Sequence, residues 1–592
     1  MVVIVLICGC IYGRAQDSEV MAAIVDFTGS GSVEEIDAQQ LEILEKLISH
    51  PLRINLSTAS KLADSGLFTR YQTVSLIDYR TRHGHILSFS ELAMIDGFGD
   101  AFVRKLIPFI SLETDRPPGE RDKVRKLFHE LEVKGGLLVN NEFKHIYALR
   151  YSVDYDDCLR ISAACSKSSA SARPDAFTGS AMLHLKRYSG KLVLGAFNAC
   201  FGHGLALSSG MSISGLAKPS SYLKRASSLS SSSSFTGNYS FKGIAAEGIA
   251  GIFRMTTLCA ITGKTGDIGV LPASNLTLLL PSGQVGVSHY IHFKDLAESL
   301  VIPDMKTSLD ASFTIRGTDV FAELVYDWVG QTPACVSGAV VPIGEDVSVG
   351  TMFRCYPSSF TSTFSGAHRS LTKCTNECSG SLSIEYVSGK WIKINGADGF
   401  GASVRRVDGN FCCDAAYLPV SKAEDGTKSY QIKTSAELKV FISDALASKI
   451  RLAGRYRTWG MPYRSDLRVD LFYYSSLFDV VLRSEVVRGD GWGILAYAET
   501  LFKKKSLKAS FRLGGFCVDD WDDRIYAYER DIPGSYNVPA FYGRGVWTSL
   551  TFNCKFSKWG TCYMRASMTQ YPFMEKKKPG KAELKLMMKI VL

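Results

Sequence analysis

Two hydrophobic periods divide this chain. Over residues 33–112 apolar positions recur at helical spacing, and beyond residue 130 they alternate with polar ones. In the first region Ile36, Leu41, Leu44, Leu47 and Ile48 make one stripe that ends before Pro51, which predicts an amphipathic helix. Ser57 is the expected cap of a short helix over 58–64. A helix over 70–83 follows, with Val74, Leu76 and Ile77 inward and Gly84 as its stop. Ser88-Phe89-Ser90-Glu91 reads as a capping box, with Leu87 and Leu92 at the hydrophobic-staple positions around it. Asp100 is the expected cap of the last helix, which ends near Pro108. Gly97-Phe98-Gly99 thus joins two short helices. Its glycines permit a tight turn and close backbone approach, and Phe98 is expected inside the turn. The free N–H groups that open the second helix suit a phosphate.

The stretch Asp115-Arg116-Pro117-Pro118-Gly119 closes the helical unit, and the period then becomes two. Tyr147, Leu149, Tyr151, Val153 and Tyr155 fall on one face of a strand, with Ala148, Arg150, Ser152 and Asp154 on the other. The rule repeats for Ile450, Leu452 and Tyr456 against Arg451, Arg455 and Arg457, for Phe511 and Leu513 against Arg512, and for Leu584, Leu586 and Met588 against Glu583, Lys585 and Lys589. Segments of about ten residues, rich in Tyr and Phe and separated by Gly, Ser, Asn and Lys turns, match a transmembrane β-barrel: lipid outside, water inside, no open edge. A soluble sandwich or propeller also alternates. The persistence of the pattern over more than 400 residues and an apolar leader favour the barrel, with roughly 16–20 strands. The 526–545 stretch, YAYERDIPGSYNVPAFYGRG, is too rich in Pro and Gly to be one strand, and 226–234, ASSLSSSSS, reads as a mobile loop.

Composition narrows the class. The 592 residues exceed one compact domain, and 46% hydrophobic residues exclude a largely disordered chain. The formal charge of +10 is spread along the sequence, as solubility or attraction to an anionic surface would require. Val2 to Ile11 is apolar but too short to span a bilayer, and Gly13-Arg14-Ala15 places small residues for cleavage after Ala15, so 1–15 reads as a signal peptide. A lipoprotein reading would use Ile7-Cys8-Gly9-Cys10 as its lipobox. No later stretch has about 18 uninterrupted apolar residues, so no helical span is expected. Cys374 and Cys378 are spaced for a local disulfide in an oxidising compartment, and adjacent Cys412 and Cys413 would face opposite sides of a strand. No spacing calls for a metal.

INLSTASKLADSGLFTRYQTVSLIDYRTRHGHILSFSELAMIDGFGDAFVRKLIPFI carries an Asn-Leu-x-Thr-Ala opening, an Ile-x-x-Tyr-Arg helix and a Gly-Phe-Gly hairpin. Over about 60 residues it resembles the paired helix-hairpin-helix domain of ComEA-like bacterial competence DNA receptors. The resemblance implies non-specific duplex-DNA binding through phosphates, with Gly97, Phe98, Gly99, Arg104 and Lys105 as candidate backbone-binding residues. The first hairpin departs from the family's Pro-Gly-Ile-Gly: it reads Ser65-Gly66-Leu67-Phe68, so Gly66, Leu67 and Phe68 form a degenerate hairpin with a ring where a phosphate would approach. Asp96 and Asp100 beside the second hairpin oppose an anion, and charges across 51–110 nearly balance, where a committed DNA binder is usually more basic. The whole chain also resembles a family of Bacteroidetes helix-hairpin-helix proteins of the outer membrane, through 51–110, 192–210 (LVLGAFNACFGHGLALSSG) and 526–545. There the middle stretch usually reads Phe-Gly-Gln-Gly-Leu; His203 replaces the Gln. That family implies architecture without a settled activity.

Catalytic patterns are missing. His203 lacks neighbouring carboxylate or Cys partners in sequence and reads as structural, and neither G-x-S-x-G, H-E-x-x-H nor a phosphate-cradling P-loop occurs. The Arg451, Arg455, Arg457 row makes either a cationic strip in the lumen or internal salt bridges. The expected molecule is an α+β multidomain, non-enzymatic protein without cofactor. It has a signal peptide (1–15), a periplasmic all-α helix-hairpin-helix domain (33–112), a linker (113–130) and an antiparallel outer-membrane barrel (131–592) in contact with lipid. Two functions follow: DNA handling or uptake through the hairpin, or a structural or transport barrel whose helical unit docks a periplasmic protein.

Overall fold

A computed structural model describes residues 17–592 except 31–35, 115–126, 168–173, 186–189, 210–215, 224–228, 236–239, 264–267, 295–302, 388–391, 394–402, 575–578 and a few shorter gaps. The leader (1–15) lies outside the described residues.

The helical unit begins earlier than residue 33. Helix α1 (Asp17–Thr28) contributes Ile24, Val25 and Phe27 to the same apolar core as α2 (Ala38–Ser49), α3 (Ala59–Asp64), α4 (Arg70–His83), α5 (Phe89–Ala93) and α6 (Gly99–Leu106). Leu52–Arg53 pairs in parallel with Ile110–Ser111, which ties the two ends of the hairpin pair together. The caps differ in detail from expectation. Thr58, not Ser57, caps α3. A Thr69–Gln72 capping box opens α4, which ends at Gly84 as its sequence predicts, and Leu76 is its buried apolar residue while Val74 and Ile77 are only half-buried. Ser88 caps α5, yet Leu87 is 75% exposed and makes no staple with buried Leu92, because the adjacent Ile86 turns inward instead. Asp100 does not cap α6, which starts at Gly99 behind Phe98 with no side-chain cap.

Twenty-four strands among the described residues then close into one antiparallel barrel, from Leu127–Asn140 to Lys581–Val591. Glu130↔Val591 through Val139↔Ala582 seal it, which leaves no edge unpaired. The barrel therefore starts before residue 131 and exceeds the expected 16–20 strands. Many connections are only two to five residues, as at 250–253, 280–283 and 315–318, so strands recur more often than a generous turn length implies. No described helix is long and apolar enough to cross a membrane. Tyr147, Leu149, Tyr151, Leu452, Leu467, Phe511 and Leu586 all face outward, as the alternation predicts, and their polar neighbours face the lumen.

The barrel's first and last strands begin and end at one rim, here called the terminal end. Its three longest described connections, 199–241, 356–377 and 518–543, leave from the opposite rim, the loop end. Within the first of these, Leu229–Ser231 pairs with strand Gly190–Ala199, so part of the serine-rich stretch is ordered. Cys374 is buried on the lumen side while Cys378 sits between inward Glu377 and Ser379 and faces out, so the two do not bridge; Cys378 lies opposite Cys355 instead. Cys412 points inward and Cys413 outward.

Gly97 is the one hairpin glycine that packing makes obligatory: its φ is +84°, and a Cβ there would stand 2.8 Å from the Tyr71 ring. Gly97→Val should cost more than about 1 kcal/mol and speed proteolysis within 17–112 of the full-length protein in detergent; unchanged cleavage would refute this account of the hairpin.

Candidate functional site: the filled lumen

The hairpins are built face to face. Phe68, fully buried, lies 5.9 Å from the Phe98 ring, and Phe98 lies 6.0 Å from Phe102. The Phe68 ring therefore fills the shared core and does not stand over the hairpin surface. Leu67 is buried beside it. Gln72 donates to the Gly97 carbonyl at 2.7 Å, which couples the first turn of α4 to the second hairpin. Asn55, from the Asn-Leu-x-Thr-Ala opening, is buried and bonds Ile86 through both its N–H and C=O and Leu112 through its amide. Arg80 donates to the carbonyls of Asn55 and Ser57. These polar ties hold the unit as one body.

That body sits inside the barrel. Lys105 of α6 donates 2.8 Å bonds to both carboxylate oxygens of Glu385, an inward residue of strand Glu377–Val387. Asp64 of α3 pairs with Lys191, which also lies 3.3 Å from Glu247 on the next full strand. On the first two barrel strands Lys46 reaches Glu130 at 3.6 Å, and Arg150 joins Glu42 of α2 to Glu132. The first and fourteenth of 24 strands lie on opposite sides of the barrel, so the helical unit bridges the lumen at the terminal end. Inward charges on the wall thus match charges on the helices.

Two of the lumenal loops complete the filling from above. Lys218 of the 199–241 connection reaches Asp26 of α1 at 3.2 Å and Glu385 at 3.9 Å, while Ser30 and Ala217 form a β-bridge. Burial alone would raise the Asp26 carboxyl, but Lys218, Lys439 and Lys105 hold it well below the usual carboxylate range. From the 518–543 connection Tyr528 and Tyr536 pack on the helical core, and Asp531 pairs with Lys585 at 2.7 Å. Gly202-His203-Gly204 wraps an inward carboxylate: the N–H groups of His203, Leu205 and Ala206 donate to Glu323 at 2.6, 3.1 and 3.0 Å. The His203 ring stacks on Phe321 with centroids 4.4 Å apart. Glycine-flanked residues signal this crowding in the sequence; Glu323, Glu385 and Lys218 carry no local signal at all.

The candidate DNA-contacting residues separate. Gly97 and Gly99 are exposed on the unit's open face and Phe98 is buried beneath them. Arg104 is half-buried, and Lys105 is committed to Glu385. The arginine row divides as well. Around it Lys449 pairs with Glu437 at 2.7 Å and Arg468 with Glu485 at 2.9 Å. Arg457 instead donates to the Met461 carbonyl.

Glu385 holds both Lys105 and Lys218 and is almost buried, with 8% of its side chain exposed. Removing one partner of such a set typically costs about 3–5 kcal/mol. Glu385→Gln should therefore leave a folded, heat-modifiable barrel whose 17–112 segment is cut faster by protease. Because the depressed Asp26 carboxyl adds stability above the ordinary carboxylate range and loses it only in stronger acid, protection should stay constant from neutral to mildly acidic pH. A loss of protection near pH 6 would contradict the assignment.

No family model matches the chain, and no curated protein does either. Among solved structures it is similar to the siderophore receptor PirA from Pseudomonas aeruginosa, at 11% identity and TM-score 0.40, over 79% of this chain and 80% of that one. It is also similar to the P pilus usher (PapC) translocation pore, at 9% identity and TM-score 0.35 over 78% and 99% of the two chains. A third likeness is OccK11 (OpdR) from Pseudomonas aeruginosa, at 8% identity and TM-score 0.29 over 79% and 96%. By its own topology the chain is a large closed antiparallel β-barrel with an apolar outer surface.

Proposed function

We propose that this protein is a plugged transport barrel of the outer membrane, with the helical unit as its plug and the terminal end toward the periplasm. The observation that carries this is the set of ion pairs from Lys46, Asp64 and Lys105 to inward wall residues on widely separated strands. A barrel of 16–18 strands already leaves an aqueous channel, so a 24-strand barrel needs filling to keep a barrier. The three longest described connections lie at the loop end, the usual external side, while 387–406 is the long connection at the terminal end. The plug's open face carries Leu87 and Met94, 75% and 76% exposed, next to Gly97 and Gly99, and this is where a periplasmic protein would dock to move it.

DNA handling is the second reading. It draws on the exposed glycines and on α6, which opens without a side-chain cap. Lys105 is spent on the wall and Asp96 and Asp100 stay exposed beside the turn, so the hairpin offers a phosphate little charge. Full-length protein in detergent should show no salt-dependent anisotropy change with labelled duplex DNA; tight, salt-sensitive binding abolished by bulky residues at 97 and 99 would restore that reading.

Planar-bilayer conductance tests the plug. The full chain should be closed or nearly so. The Lys105→Gln/Lys218→Gln variant should show frequent openings, and a barrel lacking 17–112 should conduct steadily. A deleted barrel that folds, by heat-modifiable migration, yet conducts no more than the full chain would sink the proposal.

A further inference from the structure

Nearly every buried cation on the described lumen wall meets a carboxylate. Lys306 has Asp304 and Asp327, Arg354 has Glu377 and Asp414, and Arg565 has Glu529 and Glu583. One row near the loop end holds more cations than carboxylates. Lys433, Arg455 and Arg464 are direct neighbours across three adjacent strands, and Arg457 is the next inward residue of the middle strand. Like charges set side by side across a sheet repel.

Their partners are mostly uncharged. Lys433 donates to the Ser370 carbonyl at 2.7 Å, and Arg457 to the Met461 carbonyl at 3.0 Å. Arg464 donates to the carbonyls of Asp522 and Arg524 at 2.7 and 3.0 Å, and lies 3.3 Å from Asp466. That is the row's single ion pair among the described residues. Arg455 makes no hydrogen bond or ion pair among them, and its Nε is buried without a partner. Asp466 and Asp522 are the carboxylates near Arg455, and Asp522 also lies 3.7 Å from Arg524; Lys433 stands across the sheet from Asp414 and near Glu377, both of which are already paired with Arg354. The row remains in positive excess. It faces the lumen, since Leu452, Tyr456 and Leu467 carry the outer surface, so a lipid headgroup cannot reach it from the bilayer.

We propose that Lys433, Arg455, Arg457 and Arg464 bind a multivalent oxyanion, a solute carrying two or more phosphate or carboxylate groups, that enters from the loop end. Guanidinium forks take such groups in bidentate fashion. Three strands set side by side span about 10 Å, so a single small anion would engage only part of the row, whereas a chain of charged groups would engage all of it. The role as a cargo site rests on the transport reading; the binding itself does not.

The test is calorimetric titration of the full-length protein in detergent with tripolyphosphate and, separately, with citrate, across a salt series. Wild type should bind at least one, more weakly as salt rises. Arg455→Gln/Arg457→Gln should weaken binding tenfold or more, and Arg455→Gln alone, which removes a group with no partner to orphan, should weaken it measurably without touching the fold. Lys504→Gln, the same charge change at the terminal end, should have no effect. Tripolyphosphate binding alone would make the ligand a phosphate compound and citrate binding alone a carboxylate. Binding of neither probe, or equal loss in Lys504→Gln, would overturn the site. A barrel that binds but never conducts would sink the transport reading and leave the site standing.

Discussion

The structure turns on one constraint: a wide barrel must fill its own lumen. Twenty-four strands remove every sheet edge from lipid, but they enclose a space far larger than side chains can occupy. The chain answers with charge. Inward Glu130, Arg150, Lys191 and Glu385 on the wall meet Lys46, Glu42, Asp64 and Lys105 of the helices. Ions taken out of water are costly unless paired. The pairs therefore fix where the helical unit sits more than they add stability.

Glu385 illustrates how two separate parts of the chain meet. Lys105 comes from the amino-terminal unit and Lys218 from a loop on the opposite rim, and both reach the same carboxylate. Asp26 extends the cluster to α1. The loop and the helices are held through one another, so a force on the open face of the unit would be felt at Lys218. A cluster that joins both rims through a single wall residue is suited to a gate, since loosening it frees the helices and the loop together.

The elements were largely legible in the sequence because periodicity reports which face meets water or lipid. Alternation placed Tyr147, Leu452 and Phe511 outward, and Gly84 marked the end of α4. What lay inside the barrel was not legible. Polar residues opposite a lipid face read the same whether they meet water or a helix, so nothing local distinguishes Glu385 from an ordinary lumen carboxylate. Phe68 misled for a related reason: the family pattern puts a small residue there for a phosphate, and its partner, Phe98, is 30 positions away in the chain and 5.9 Å away in space. The Cys374–Cys378 spacing misled because one residue sits in a lumenal loop and the other on the lipid face. The arginine row was visible, but its excess over the neighbouring carboxylates required the register of the adjoining strands.

The seating of the helical unit can be read directly in membranes. A carbodiimide joins a lysine and a carboxylate in contact, with loss of water, and mass spectrometry then locates the linked peptides. The account predicts Lys105–Glu385 and Lys191–Asp64 links in intact outer membranes, since Lys105 lies 2.8 Å from Glu385 and Lys191 pairs with Asp64. Links confined within the helical unit, with none to these wall residues, would contradict it.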